Sequence, residues 1–458
     1  MAELPGPPAA RAVHLVGVGG AGMSGLAKLL ARLGYRVSGS DLKPGRFLEA
    51  LADEDVATWL GHRPQQAAGW DLVVASSAVP DTDPELRAAV AAGVEIWRRP
   101  ELLEALTGLM PAIGFSGTHG KTTSTALAVA ALHGAGHDPT FMVGGELVGL
   151  NTNAHLGDTG LFVLEADEAY GTFQLLHLRG LLVTNVEPDH MDHYATFGRL
   201  EDAFVDVAER TAGPVIVGID DPGARRLARR VGARTYGTNP DADWLMTRVR
   251  MEGGRTGFRL RGPAADVEVS VPRPGLHIAR NAAGVLALLA ESGIDPHAAA
   301  AGIAGFAGVR RRFEVRARLG GVTVVDDYAH HPTEVAATLA AARLGAWERV
   351  WAVFQPHRYT RTAELAVPLG GALAAGDIVV VDDVYGAGEP PQPGITGNLV
   401  ADAAAAAGAH DVTYLPGVHA IAGHLAARVR PGDLVVLMGA GDITAAGDEL
   451  AFLLGERR

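Results

Sequence analysis

Ten short apolar runs, mostly β-branched, punctuate the chain: RAVHLVGV (11–18), WDLVVASS (70–77), PAIGFSG (111–117), GLFVLEAD (160–167), GLLVTNV (180–186), PVIVGID (214–220), VTVVDD (322–327), RVWAVFQ (349–355), DIVVVDD (377–383) and DLVVLMGAG (433–441). Between them lie alanine-rich stretches of helical character, such as SGLAKLLARLG (24–34) and TTSTALAVAALHGAG (122–136). Strands alternating with helices predict α/β layers built on mainly parallel sheets. Most of the runs end in Gly, Asp, Asn or Gln, and in open α/β sheets ligands gather beyond the carboxyl ends of the strands.

Fresh strands with new polar motifs begin after RRPELLEALTGLMP (98–111) and after the arginine cluster GVRRRFEV (308–315), which predicts three domains at 1–107, 108–313 and 314–458. Residues 244–274 alternate apolar and polar positions and carry Pro272 and Pro274, so they read as a β excursion inside the middle domain. The alanine run 401–410 reads as ordinary helix, and Arg225 to Arg230 as a solvated helix face. No solenoid period is present.

A length of 458 residues agrees with three domains, and an apolar content of 48% supports several cores. The absence of cysteine removes disulfides, thiolate metal sites and thiol nucleophiles and suits a reducing cytoplasm. The N-terminal stretch lacks a charged segment followed by an apolar one, and no run approaches bilayer-spanning length, so a cytoplasmic protein without membrane insertion is expected. A net charge of −13 argues against nucleic acid as a partner. Lysine is scarce, occurring only at Lys28, Lys43 and Lys121.

Two glycine loops follow strands and precede helices. In VHLVGVGGAGMSG (13–25), Gly17, Gly19 and Gly22 satisfy G-x-G-x-x-G, and a second strand ends in Asp41, 19 residues beyond Gly22. That arrangement turns backbone N–H groups and a helix N-terminus towards a diphosphate. It leaves an NAD-dependent oxidoreductase as an alternative, although no hydride-transfer site follows. The second loop, GTHGKTT (117–123), departs from strict Walker A because Phe115 stands where the first glycine belongs. Its helix N-terminus, Lys121 and the Thr122 hydroxyl suit triphosphate and magnesium. Magnesium also needs hard oxygen ligands, which LFVLEADE offers as Glu165, Asp167 and Glu168; the next strand ends near Asp189, His190 and Asp192.

Together GTHGKTT, EADE and TNVEPDHMDHY resemble the Mur ligases, ATP-dependent amide-forming enzymes of peptidoglycan precursor synthesis. The further motifs VGVGGAGMSGLA, RRFEV, VVDDYAHHPTEV, VFQPHRYTRT, VYGAGE and LMGAGDI are similar to the branch that adds the first residue, L-alanine, to UDP-N-acetylmuramate. The resemblance implies a Rossmann-like UDP-binding domain, a central P-loop ATPase-like domain with a mostly parallel sheet, and a C-terminal Rossmann-like domain. It implies ATP binding by Gly117, Thr118, His119, Gly120, Lys121, Thr122 and Thr123, with Asn281, Arg312 and Asp327. It implies two Mg²⁺ sites using Thr122, Glu165 and His190, and UDP-sugar binding by Gly19, Gly20, Gly22, Met23, Ser24, Asp41, Ser76 and Ser77. Tyr328, His330, His357, Arg358 and Arg361 are expected around the amino acid. Catalytic roles are expected of Lys121, Glu165, His190, Arg312, Asp327 and His330, with His330 or a nearby carboxylate as candidate proton acceptor.

Three features depart from the family pattern. Ile278 replaces the asparagine that usually follows histidine in the adenine segment, and Ala169 and Tyr170 replace a serine and an aspartate after EADE. The carbamylated lysine of some relatives has no counterpart, since no lysine follows Lys121. The resemblance leaves a peptide-recycling ligase acting on UDP-N-acetylmuramate as an alternative, and either a monomer or a homodimer is expected.

Overall fold

The computed structural model describes residue 4, residues 11–263 and residues 265–455; most of the N-terminal stretch discussed above lies outside these, as does the side chain of Asp192. All ten predicted runs are strands, and the fold is α/β with three sheets. The first sheet holds β1 (Ala12–Val16), β2 (Arg36–Asp41), β3 (Ala57–Leu60), β4 (Leu72–Ala75) and β5 (Glu95–Arg98), in the order β3-β2-β1-β4-β5. Every pairing in it is parallel.

The second sheet has ten strands: β6 (Ala112–Ser116), β7 (Thr140–Leu147), β8 (Thr152–His155), β9 (Phe162–Glu165), β10 (Leu178–Val183), β11 (Val215–Gly218), β12 (Arg234–Gly237), β13 (Trp244–Glu252), β14 (Arg255–Arg261) and β15 (Asp266–Val271). Their order is β15-β14-β13-β12-β11-β10-β6-β9-β7-β8. The core from β7 to β13 is parallel, β8 turns back antiparallel on β7, and β13 to β15 are the expected β excursion.

The third sheet contains β16 (Glu314–Leu319), β17 (Val322–Asp327), β18 (Arg349–Phe354), β19 (Ile378–Val381), β20 (Val412–Tyr414) and β21 (Asp433–Met438), ordered β16-β17-β21-β18-β19-β20. Only β16 on β17 is antiparallel.

The chain forms two compact units. One comprises the chain up to Arg248 with Phe258–Ser270 and Arg280–Ala307; the other comprises Val249–Gly257, Val271–Ala279 and the chain from Gly308 onward. Central strands such as β1, β6, β17 and β21 are buried along their whole length, because helices cover both faces of a parallel sheet. In the first unit one apolar core runs from Leu26 and Leu29 of the helix Ala21–Arg32 through Met142 and Ala154 to Phe162 and Phe204. In the second, separate apolar clusters cover the two faces of the third sheet. Among the described residues no helix is long and apolar enough to cross a membrane.

Candidate active site

The GTHGKTT loop leaves β6 and enters the helix Lys121–Gly134. Gly117 and Gly120 adopt φ of +121° and +88°, a region that side chains rarely enter. The loop is pinned to the end of β10: Asn185 accepts from the His119 N–H at 2.8 Å and donates to the His119 carbonyl at 3.0 Å, and the Glu187 N–H donates to the Thr118 hydroxyl at 2.8 Å. Asn281 lies against Gly120, where an added Cβ would stand 2.8 Å from its Oδ1. No side chain caps the helix, so the N–H groups of its first turn point forward as anion donors.

Lys121 is enclosed by acceptors. Its ammonium donates to both Glu168 oxygens at 2.8 and 2.9 Å and to the Gly117 carbonyl at 2.8 Å, with Asp167 at 3.6 Å. Burial alone would lower its pKa, but Glu168 and Asp167 outweigh it and hold the ammonium above its usual range. Asp167 is driven down, because Lys121, Arg99 and His190 overcome its burial, whereas Glu168, only 1% exposed, is pushed up by burial despite Lys121. His190 joins this group: Asp167, Glu168 and His190 each present a ligand atom within 4.8 Å of the others. His190 sits at φ +55°, as do Tyr170 and, at +62°, Ala195, so the backbone around the group is strained, as it often is where chemistry is done.

Glu165 points elsewhere. Its Oε1 accepts the Gly144 N–H of β7 at 2.5 Å, and it lies outside the Asp167–Glu168–His190 group. Thr122 is buried in the first turn of the helix, and Tyr170 is exposed, edge-on to His193.

In the first glycine loop, Asp41 accepts the Gly19 N–H at 2.8 Å and the Lys43 N–H at 3.1 Å, so this carboxylate braces the loop itself. Gly20 is open, Ser77 is exposed and Ser76 is half-buried at the end of β4. Met23 and Ser24 are buried; the Ser24 hydroxyl donates to the Ala21 carbonyl and accepts from Asn153.

The second unit gathers the residues expected near an amino acid. Tyr328 and His330 meet edge to face at 5.5 Å, His330 and His357 lie 5.9 Å apart, and His357 stacks on Tyr385 at 5.8 Å. Arg361 approaches His357 Nδ1 at 3.3 Å, Arg358 donates to Glu389 at 2.6 Å, and Arg312 lies over the Tyr328 ring at 5.0 Å. Burial, with His330 and two arginines, pushes the His357 imidazole down to about 3, so it is neutral at working pH. Asp327 accepts the Phe313 and Ala329 N–H groups, yet burial raises its carboxyl to about 6.

Three family models match in order: the Mur ligase family catalytic domain over residues 12–109, the Mur ligase middle domain over 115–289, and the Mur ligase glutamate ligase domain over 311–441. The UDP-N-acetylmuramate–L-alanine ligase of Myxococcus xanthus is 43% identical over 447 residues, covering 96% of this chain and 95% of its own length. The chain belongs to the Mur ligase family. The same-named ligase of Kineococcus radiotolerans is 45% identical, covering 97% of this chain and 96% of its own. Among solved structures, a UDP-N-acetylmuramate-alanine ligase from Thermotoga maritima superposes with a TM-score of 0.84 at 25% identity, covering 97% and 99% of the two chains. A murein peptide ligase from Psychrobacter arcticus shares the fold, with a TM-score of 0.73 at 24% identity and the same coverage.

Asn185, Tyr385 and Glu389 were not among the residues expected at the site. Asn185 stood in the quoted TNVEPDHMDHY and Tyr385 and Glu389 in VYGAGE, but their work is to hold other site residues, which no local pattern announces.

Proposed function

We infer that this Mur ligase joins L-alanine to the lactyl carboxylate of UDP-N-acetylmuramate at the expense of ATP, giving UDP-N-acetylmuramoyl-L-alanine, ADP and phosphate. The observation that carries the reading is a Lys121 phosphate loop beside the Asp167–Glu168–His190 group, in a chain alike over nearly its full length to ligases of that name. A lactyl carboxylate oxygen attacks the γ-phosphorus and ADP leaves; the alanine amine then attacks the acyl carbonyl, phosphate departs, and a base takes the amine proton.

Residues 1–107 serve the sugar nucleotide, 108–313 ATP and 314–458 the amino acid. Lys121 and the first-turn N–H groups neutralise the transferring phosphate, whose reaction demands positioning and charge compensation. Arg312 and Asp327 serve the nucleotide, and Asn281, packed on Gly120, supports the loop. Carboxylate oxygens are the hard donors Mg²⁺ takes: Thr122 and Glu165, once turned from the Gly144 N–H, would hold one ion, and His190, with Asp167 and Glu168 beside it, a second. Mg²⁺ bound there supplies further charge neutralisation at the triphosphate. His330 accepts the amine proton, while Arg358 or Arg361 pairs with the alanine carboxylate. The enzyme works in the bacterial cytoplasm, as a monomer or homodimer.

Phosphate release is expected only when UDP-N-acetylmuramate, L-alanine, ATP and Mg²⁺ are all present, with L-alanine preferred over glycine, L-serine and tripeptide. A strong preference for tripeptide would convert the reading to a recycling ligase. Nicotinamide-dependent absorbance change without ATP use would return the oxidoreductase.

A further inference from the structure

Two consecutive arginines follow β5, and they differ in what they bind. Arg98 is engaged: it donates to the Val79 carbonyl at 2.7 Å and the Ser76 carbonyl at 3.3 Å and pairs with Asp81. Arg99, the first residue of the helix Arg99–Leu109, makes no such bond among the described residues, and its Nε is buried without a partner. A guanidinium carries five donors and stays charged, so a buried Nε left unmatched costs free energy that an anion bound across the fork would recover.

Its location indicates which anion. The guanidinium lies on Gly22: a Cβ built there would stand 3.0 Å from Cζ, 3.1 Å from Nε and 3.2 Å from Nη2. A side chain at Gly22 would crowd the Arg99 guanidinium, which would have to give by a few tenths of an ångström. The loop itself is short of charge for a diphosphate. The Gly19 N–H is already spent on Asp41, no side chain caps the helix Ala21–Arg32, and that helix terminus offers only about half a positive charge.

We propose that Arg99 is the side-chain anchor for the diphosphate of the sugar nucleotide, bound bidentately across the N-terminus of the helix Ala21–Arg32. The proposal rests on the sugar-nucleotide reading above and assigns that site a full positive charge.

The test is equilibrium binding by calorimetry on the full chain, with UDP-N-acetylmuramate, UDP-N-acetylglucosamine and ATP titrated separately. Arg99→Ala is expected to weaken both sugar nucleotides by the same factor, about 10- to 100-fold, and to leave ATP unchanged. Arg99→Lys, which keeps the charge and loses the fork, is expected to fall between. Should Arg99→Ala fail to fold, Arg99→Gln carries the same expectation, because it removes the charge while keeping an amide donor. Unchanged sugar-nucleotide affinity overturns the proposal. So does a loss confined to UDP-N-acetylmuramate, which would move Arg99 to the lactyl carboxylate, or an equal loss for ATP, which would move it to the phosphate loop. If the unmodified chain binds neither sugar nucleotide, the functional reading itself fails; if it binds both and the variants match it, only the role of Arg99 fails.

Discussion

Lys121 and Glu168 form a buried pair whose members want different things. The lysine is stabilised as a cation, while burial raises the carboxyl that holds it, so the pair survives on mutual attraction. Removing one partner of such a pair strands the other charge and typically costs about 3–5 kcal/mol. Glu168→Gln is therefore expected to lower stability by about 3 kcal/mol, read as a lower urea midpoint, since Asp167 at 3.6 Å compensates Lys121 only in part. Lys121→Ala strands Glu168 in the same way and also acts on chemistry: kcat is expected to fall at least about 100-fold, because on the proposed function one preorganised positive donor at the transferring phosphate is lost. Affinity for UDP-N-acetylmuramate should hardly change in that variant, as the proposed function puts that ligand on the other glycine loop. If calorimetry showed sugar-nucleotide binding lost as well, the division of the sites between residues 1–107 and 108–313 would be wrong.

At the scale of elements, the two glycine loops look alike in sequence and differ in tolerance. Gly20 begins its helix at φ −82° with nothing within 4 Å of an added Cβ, whereas Gly120 sits at φ +88° with Asn281 in the way. Gly20→Ala is expected to leave stability within about 0.5 kcal/mol of the parent, and Gly120→Ala to cost about 1–2 kcal/mol and weaken ATP binding. Equal effects on thermal unfolding would show that the loop geometry does not set the difference. The same contrast explains what was legible beforehand. Strands such as β1, β6 and β21 were plain from their apolar runs, because burial on both faces demands such runs. β3 and β5, with partly exposed patterns at the sheet edges, carry no equivalent signal. Motifs placed Lys121, Glu165 and His190 near one another along the strand ends, but side-chain direction was beyond them. That Glu165 turns to Gly144, and that Met23 and Ser24 are buried in packing, depends on partners distant in sequence.

Across the whole molecule, two buried carboxyls and the half-buried His357 bear on the response to acid, with opposing signs. His357 has its folded pKa depressed to about 3 from 6.5, so its contribution is fully present above pH 6.5 and lost as pH falls towards 3. Asp327 has its folded pKa raised to about 6 from 3.8; the fold takes up that proton first, so its cost at neutral pH is relieved as pH falls from about 6 to 3.8. Between pH 6.5 and 4.5 the two largely offset. Glu85 is different: burial would raise it, but His14, the Ser40 hydroxyl and the Arg63 N–H hold it near 2 against an ordinary 4.5. Its stabilisation, about 3 kcal/mol at neutral pH, is therefore present above pH 4.5 and lost as pH falls from 4.5 to 2. Stability should run nearly level from pH 6.5 to 4.5 and drop steeply below. Glu85→Gln is expected to be less stable than the parent at pH 7, with the gap closing below pH 4.5 as the parent's carboxylate takes its proton. Trp59, whose indole N–H donates to Glu85 at 3.2 Å, makes tryptophan fluorescence in urea a suitable probe. A gap that stayed constant from pH 7 down to pH 3 would place the acid sensitivity in groups other than the Glu85 network.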